Sequence, residues 1–237
     1  MASVDMIIWL GCLFILACGL LIDSLYFFSL SAKRDTLKTV KKYYRLIAIF
    51  LLALSLCGFL DLWYAYYQRY LGIQEDPLPP ASASFGTYFF VITTCLMFSF
   101  FALTRTTEKY VKQSKSMILT KILFTCFLIS LVPYVTPPEI TDILAPLIYM
   151  VYLPFTLIIL YWGVFYLRLG AKSEGIIKKK AYFTAFGLGT IFLGISGDIV
   201  IRDQLWIIET TGYLFPIIFV IGGIIGIPLL FTGFKRE

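Results

Sequence analysis

Seven long apolar runs separated by short polar stretches dominate the sequence, and this pattern constrains the fold more than any other feature. A helix that crosses a bilayer needs about 20 predominantly apolar residues, and each run is close to that length or longer. The runs lie at about residues 6–31, 44–70, 85–104, 117–135, 142–168, 181–201 and 211–233. The polar stretches between them are too short to fold alone. We therefore expect an all-α membrane protein in which a seven-transmembrane helix bundle forms a single domain over residues 1–237.

The composition excludes soluble enzymes and disulfide-stapled secreted modules. Apolar residues make up 59% of the chain and charged residues 14%, whereas soluble domains carry about 25% charged residues. The absence of histidine removes His-ligated metals, bis-His haem and nucleophile–histidine pairs. No Asp-x-x-Asp pair lies within an apolar run, so we expect no enzyme, no metal site and no cofactor. The cysteines lack metal or redox spacing and are interpreted as packing residues, namely Cys12, Cys18, Cys57, Cys95 and Cys126.

The basic residues are distributed unevenly between the two sets of connecting stretches. Of the 20 Lys and Arg residues, all but Arg69 and Arg202 lie in 33–45, in 105–121, in 168–180 or at the C-terminal end. Cytoplasmic loops of membrane proteins carry an excess of Lys and Arg. The pattern therefore predicts a multi-pass protein of the cell membrane with its N-terminus outside and its C-terminus inside.

This distribution also explains the formal net charge of +6 without nucleic acid as a partner. We expect membrane lipids as partners, because basic inner loops attract anionic headgroups. A cytoplasmic signalling partner would bind the same basic inner loops, and association with further copies of the chain stays open.

The predicted topology resembles that of the microbial rhodopsins and of the G-protein-coupled receptors. A covalent retinal is excluded, because the seventh run at 211–233 contains no lysine. The receptor signatures are also absent, since the third run ends Phe101-Ala-Leu-Thr-Arg105 instead of Asp-Arg-Tyr and the seventh lacks Asn-Pro-x-x-Tyr. The topology also resembles the seven-helix N-terminal sensor region of prokaryotic histidine kinases and cyclases. That resemblance implies a prokaryotic receptor-like sensor whose output comes from a separate partner.

Two inner stretches look alike and suggest an internal repeat. Ser31–Lys42 aligns with Gly170–Lys180 with one gap, and each is followed at a similar distance by an aspartate within a run, Asp61 or Asp198. This favours a parallel repeat of spans 1–3 and 5–7 around a linking span 4, as in some transporters. The alternative is chance likeness between lysine-rich loops.

Carboxylates within spans are costly and mark functional sites by default. Asp61 opens a segment that also holds Trp63, Tyr64 and Gln68. Asp61, Tyr64 and Gln68 follow i, i+3, i+7 and therefore share one helix face, which would line an outward-open cavity. The alternative is an aromatic belt at the outer interface.

Two further aspartates lie in spans. Asp198 is followed one turn later by Arg202, a spacing that also suits an interfacial salt bridge. For Asp23 we expect a hydrogen-bond partner in Ser24, Ser29 or a neighbouring helix.

Proline and glycine mark the fifth and seventh runs. Tyr152 and Pro154 lie in the fifth, where a proline kink would form a pocket or a hinge. The seventh combines Pro216 with a Gly-Gly-x-x-Gly stretch at 222–226, which indicates close helix packing or, alternatively, a gate.

These features favour a receptor or sensor that binds a small molecule or lipid and signals to a separate cytoplasmic partner. The alternatives are a small proton- or cation-coupled transporter and a non-catalytic subunit of a larger membrane complex. The expected ligand-binding residues are Asp61, Trp63, Tyr64, Gln68, Tyr152 and Asp198, with hinges at Pro154 and Pro216.

Overall fold

A computed structural model describes residues 4–33, 37–66, 87–132, 135–137, 139–140, 143, 150, 152–203 and 213–235 of the chain. Within these ranges the secondary structure is helical and no strand occurs. The described part contains seven α-helices, each of which overlaps one predicted apolar run. They are α1 (Val4–Ala32), α2 (Lys38–Ala65), α3 (Thr87–Thr106), α4 (Ile118–Ser130), α5 (Tyr152–Lys172), α6 (Gly175–Asp203) and α7 (Leu214–Phe234). A π-helical turn, Thr107–Val111, continues α3.

Four of these helices are long and apolar enough to cross a membrane, and they indicate a membrane protein. They are α1, α2 over Lys38–Tyr64, α5 over Leu153–Lys172, and α7. The side chains at one end of α3 and of α6 lie outside the described residues.

Helix α4 is apolar but shorter than the run that predicts it. Its 13 residues extend about 20 Å at the usual rise per residue, less than the hydrocarbon thickness of about 30 Å. The described helix ends at Ser130, whereas the run was expected to continue to residue 135. The sequence places Pro133 just beyond this end, and a proline disfavours helical backbone in the residue before it.

The chain divides into two compact units, of which the first comprises Ser24–Leu160. In this unit α1 to α4 each run antiparallel to the next helix in the chain. Contacts that lie nearer the C-terminus of one helix lie nearer the N-terminus of the next. The contacts are Ser24–Ala48 and Phe27–Tyr44 between α1 and α2, Phe50–Ser99 and Tyr43–Tyr110 between α2 and α3, and Thr94–Ser130 and Phe101–Phe124 between α3 and α4.

The second unit comprises Met1–Asp23 and Tyr161–Glu237. Its α6 and α7 pack antiparallel, and their backbones approach closely because glycines face each other. A Cβ atom built on Gly194 would lie 2.8 Å from Cα of Gly223, and one built on Gly187 would lie 2.7 Å from N of Leu230. Small residues permit such approach between membrane helices.

The first half of α1 packs parallel to α7 in the same unit. The ring of Trp9 stacks on that of Tyr213 with 5.0 Å between centroids, and further along both helices a Cβ atom on Gly19 would lie 2.6 Å from Ile227 Cδ1. The start of α1 and the start of α7 therefore lie at the same end of this unit.

The glycine stretch at 222–226 serves this packing. Gly223 faces Leu16 and Gly194, and Gly226 faces Thr190, whereas Gly222 has open space around its Cα. This placement agrees with the packing interpretation of the stretch. The single-domain organisation over residues 1–237 stays a prediction.

Candidate functional site

Asp61 lies in the last two turns of α2 and is buried, with only 3% of its surface exposed. Tyr64, one turn later, is half-buried, whereas Trp63 is 42% exposed. Residues two apart in a helix point to nearly opposite sides, so Trp63 cannot share the face of Asp61. The structure thus places Asp61 and Tyr64 on the inward side of α2 and Trp63 on its outer side.

The other predicted ligand residues are not brought to this face by the described structure. Gln68 lies outside the described residues. Tyr152 lies in α5 and Asp198 in α6, but their side chains are outside the description. Asp198 also belongs to the unit Met1–Asp23 with Tyr161–Glu237, whereas Asp61 belongs to Ser24–Leu160.

The two predicted hinge prolines lie in α7 and α5. Pro216 is the third residue of α7 and so lies in its first turn, whereas Pro154 lies in α5, the described part of which begins at Tyr152. A proline in the first turn of a helix removes no intrahelical hydrogen bond, because the first N–H groups have no partner within the helix. Pro228 lies inside α7, where it does remove one. The structure thus provides a mechanism for bending α7 at Pro228, while the hinge roles of Pro154 and Pro216 stay predictions.

Two thiols lie close to Asp61. The thiol of Cys57, one turn before Asp61 on α2, hydrogen-bonds the sulfur of Cys95 on α3. It also points at the carbonyl oxygen of Ile92, 3.8 Å away. Sequence reasoning treated both cysteines as packing residues, because only the register between α2 and α3 brings them together. The spacing from Cys57 to Asp61 was the one signal that the sequence carried.

Asp23 does not obtain the serine partners expected for it. Ser24 donates to the carbonyl oxygen of Ala48 at 2.9 Å, and Ser29 donates to that of Tyr26 at 2.8 Å. Among the described residues, Oδ2 of Asp23 is a buried oxygen without a hydrogen-bond partner. The serines fail as partners because each hydroxyl has one proton, and here that proton is directed to a backbone carbonyl.

Glu108 is a buried carboxylate that sequence reasoning did not single out. It is 2% exposed and accepts hydrogen bonds from N of Leu119 at 3.2 Å, from N of Thr120 at 2.8 Å and from Oγ1 of Thr120 at 2.6 Å. These amides belong to the first turn of α4, whose donors have no partner within the helix. The preceding Met117 takes a left-handed conformation with φ 47°. Glu108 therefore caps α4 and links it to α3, which is a structural role.

Exposed basic residues gather at one end of each unit. In Ser24–Leu160, the ring contact between Tyr43 and Tyr110 and the hydrogen bond of Glu108 to Thr120 bring the start of α2, the end of α3 and the start of α4 together. The exposed basic residues there are Lys38, Lys42, Arg45, Arg105, Lys109, Lys112, Lys115 and Lys121.

In the other unit, Gly170 contacts Tyr182 and Gly233 contacts Thr184, which brings the end of α5, the start of α6 and the end of α7 together. The exposed basic residues at that end are Arg168, Lys172, Lys178, Lys179 and Lys235.

Within the described ranges, no three or more His, Cys, Asp or Glu side chains come together as metal ligands would. Comparisons with known protein families, with curated proteins and with solved structures found no match.

Proposed function

We propose that the chain is a receptor or sensor of the cell membrane that spans the bilayer seven times, with its N-terminus outside and its C-terminus inside. The burial of Asp61 in the last two turns of α2, with Tyr64 on the same side, carries this proposal. A carboxylate in a candidate span is expensive unless it has a role. Its chemistry suits a ligand with a cationic or hydrogen-bond-donating group.

The grouping of basic residues supports the proposed orientation. Among the residues that the structure describes, each unit has its exposed Lys and Arg side chains near one end, where the helix termini that the sequence predicts to be inside also meet. An excess of Lys and Arg is typical of cytoplasmic loops. This end would contact anionic lipids and a separate signalling protein, while the parallel repeat and self-association remain predictions.

Signalling would require that a ligand at Asp61 changes the inner ends of the helices. Prolines kink helices and so provide points of bending. Pro154, Pro216 and the interior Pro228 are the positions at which α5 and α7 would bend. Gln68, Tyr152 and Asp198 stay predicted ligand residues, whereas Trp63 lies on the outer side of α2, away from Asp61.

A coupled transporter is the second candidate, and Asp23 favours it. A buried carboxylate oxygen without a partner, together with Asp61, would provide two groups able to carry a proton or cation through the spans. The third candidate is a non-catalytic subunit of a larger membrane complex.

Purification of the full chain after cross-linking in its own membrane separates these candidates. The sensor predicts a stoichiometric kinase, cyclase or transducer that is lost when Lys178 and Lys179 are changed to Glu. The matched control changes both to Arg, which keeps the charge and should keep the partner. Recovery with several membrane subunits would instead favour the complex subunit.

The Asp61→Asn variant tests the site itself. For a sensor, the variant should retain its partner but lose the response to ligand. For a transporter, the chain should purify alone, and flux driven by a pH gradient in proteoliposomes should disappear in the variant. Asp5→Asn, which neutralises an exposed carboxylate in the first turn of α1, is the control. If Asp61→Asn behaves as Asp5→Asn in every assay, the proposed site is wrong.

A further inference from the structure

The thiols of Cys57 and Cys95 form a pair between two helices. Cys57 on α2 is buried, with 1% of its surface exposed, while Cys95 on α3 is half-buried. The Cys57 thiol is hydrogen-bonded to the sulfur of Cys95 and also directed at the carbonyl oxygen of Ile92, one turn earlier on α3. Both sulfurs are free thiols in the structure.

The antiparallel register of α2 and α3 holds the pair in place. Two turns from Cys57 toward the start of α2, the hydroxyl of Ser99 donates to the carbonyl oxygen of Phe50 at 3.1 Å. The rings of Phe50 and Phe100 meet at the same level with 5.8 Å between centroids. Because these contacts are buried, the helices cannot slide without breaking them, and the two sulfurs stay within reach of each other.

The chemistry of the pair points to oxidation and not to metal binding. A stable site for a soft metal uses three or four ligands, and no such set gathers within the described residues. Two adjacent thiols have a simpler reaction, which is the formation of a disulfide through a sulfenic acid. The surroundings are apolar, since Cys57 lies within a candidate span, so the oxidant must dissolve in the membrane.

We propose that Cys57 and Cys95 are a redox pair that an organic hydroperoxide dissolved in the membrane oxidises to a disulfide. The more accessible Cys95 sulfur attacks the terminal peroxide oxygen, and the O–O bond breaks. Cys95 becomes a sulfenic acid, and the leaving alkoxide takes the Cys95 thiol proton to leave as an alcohol. The Cys57 sulfur then attacks the sulfenic sulfur, the S–S bond forms, and the hydroxyl leaves with the Cys57 proton as water. The two thiols lose two electrons in total, and the peroxide gains them.

The Cys57 side of the pair is suited to this second step. Its proton is directed at the carbonyl oxygen of Ile92, and Cys57 is the more deeply buried of the two cysteines. Cys95 is therefore the sulfur that the peroxide reaches first, and Cys57 resolves the sulfenic acid before further oxidation. The disulfide would fix α2 to α3 one turn from Asp61; this consequence depends on the proposed function, whereas the oxidation does not.

The test uses the full chain in phospholipid nanodiscs, fully reduced and then exposed to cumene hydroperoxide. Remaining thiols are blocked after denaturation, and a non-reducing protease digest is analysed by mass spectrometry. We expect a peptide pair joined through Cys57 and Cys95, the simultaneous loss of both thiols, and the return of both after treatment with dithiothreitol. Cys18→Ser, which alters a thiol on α1, should leave this linked pair unchanged.

Three results would overturn the proposal. Both thiols could survive a dose that oxidises Cys18, Cys95 could accumulate as sulfinic acid without a link, or the link could join two chains. The assay on the unaltered chain decides between these results, so it does not depend on whether a serine variant folds. Cys57→Ser adds a check, because Cys95 should then form no internal disulfide and should proceed to sulfinic acid.

Discussion

The glycine contact between α6 and α7 offers the sharpest test of the fold. Replacing Gly194 by Ala places a methyl group 2.8 Å from Cα of Gly223, 2.9 Å from its N and 2.9 Å from the carbonyl oxygen of Phe219. All three are backbone atoms, so no side-chain rotation relieves the overlap. The two helices must therefore move apart.

The size of the effect follows from these distances. Ordinary contact of a Cβ atom begins at 3.4 Å, so a contact at 2.8 Å requires a separation of the helices by about half an ångström, which forfeits roughly a quarter of each dispersion contact. Between membrane helices packing replaces the hydrophobic effect as the source of association. We expect Gly194→Ala to lose about 1–3 kcal/mol of packing free energy, the usual cost of overpacking.

Gly189→Ala is the matched control on the same helix. Gly189 is exposed, and a Cβ atom there meets nothing within 4 Å. Both variants gain the same helix propensity of about 1 kcal/mol when alanine replaces glycine. This term cancels in the comparison, and the difference between the two variants measures the packing cost alone.

The assay is reversible unfolding of the full chain in mixed micelles by a denaturing detergent, followed by tryptophan fluorescence. Gly194→Ala should unfold at lower denaturant than Gly189→Ala by the equivalent of about 1–3 kcal/mol. Free energies of unfolding that agree within about 0.5 kcal/mol, the spread of neutral surface changes, would refute the close approach of α6 and α7.

Three further variants test other contacts by the same unfolding assay. Glu108→Ala should cost about 2–3 kcal/mol, because buried amides lose a charged acceptor, and should speed hydrogen exchange of the first amides of α4; the exposed Glu174→Ala should do neither. Ser99→Ala should cost about 0.6 kcal/mol, the usual value of a hydrogen bond between membrane helices, since it removes the bond to Phe50; a cost above 2 kcal/mol would mean another role. Asp23→Leu should raise the unfolding free energy by about 1 kcal/mol by removing an unpartnered buried oxygen, and a loss of stability would reveal a partner.

The positions of the helices were accessible from the sequence, because each depends on an apolar run and on the polar stretches that end it. One difference is α4, which ends at Ser130 instead of at residue 135. The apolar character of the run continues past that point, and only Pro133 signals the end. Hydropathy alone could not place this boundary, whereas the restriction that a proline imposes on the residue before it could.

The candidate site was harder to predict from the sequence, because the alignment of two packed helices along each other depends on both helices and not on one segment. The i, i+3 spacing predicts that Asp61 and Tyr64 share one face of α2, and the two-residue spacing from Asp61 to Trp63 places Trp63 on the other side, in agreement with its exposure. The contact between Cys57 and Cys95 depends on how α2 slides along α3. Glu108 lies in a lysine-rich stretch of the sequence. Its role as the cap of α4 follows only from the position of the start of α4 beside it.

Three described carboxylates in the helical core, Glu108, Asp23 and Asp61, differ in whether structural contacts alone account for their burial. Glu108 has three donors and caps a helix, so stability alone accounts for it. Asp23 has a buried oxygen with no partner, and such an oxygen costs about 1–3 kcal/mol, which the fold does not recover. Asp61 is buried one turn after Cys57 on α2 and is the centre of the proposed ligand site. Functional mutagenesis should begin with Asp61 and Asp23, because a purely structural role explains Glu108 but not Asp23.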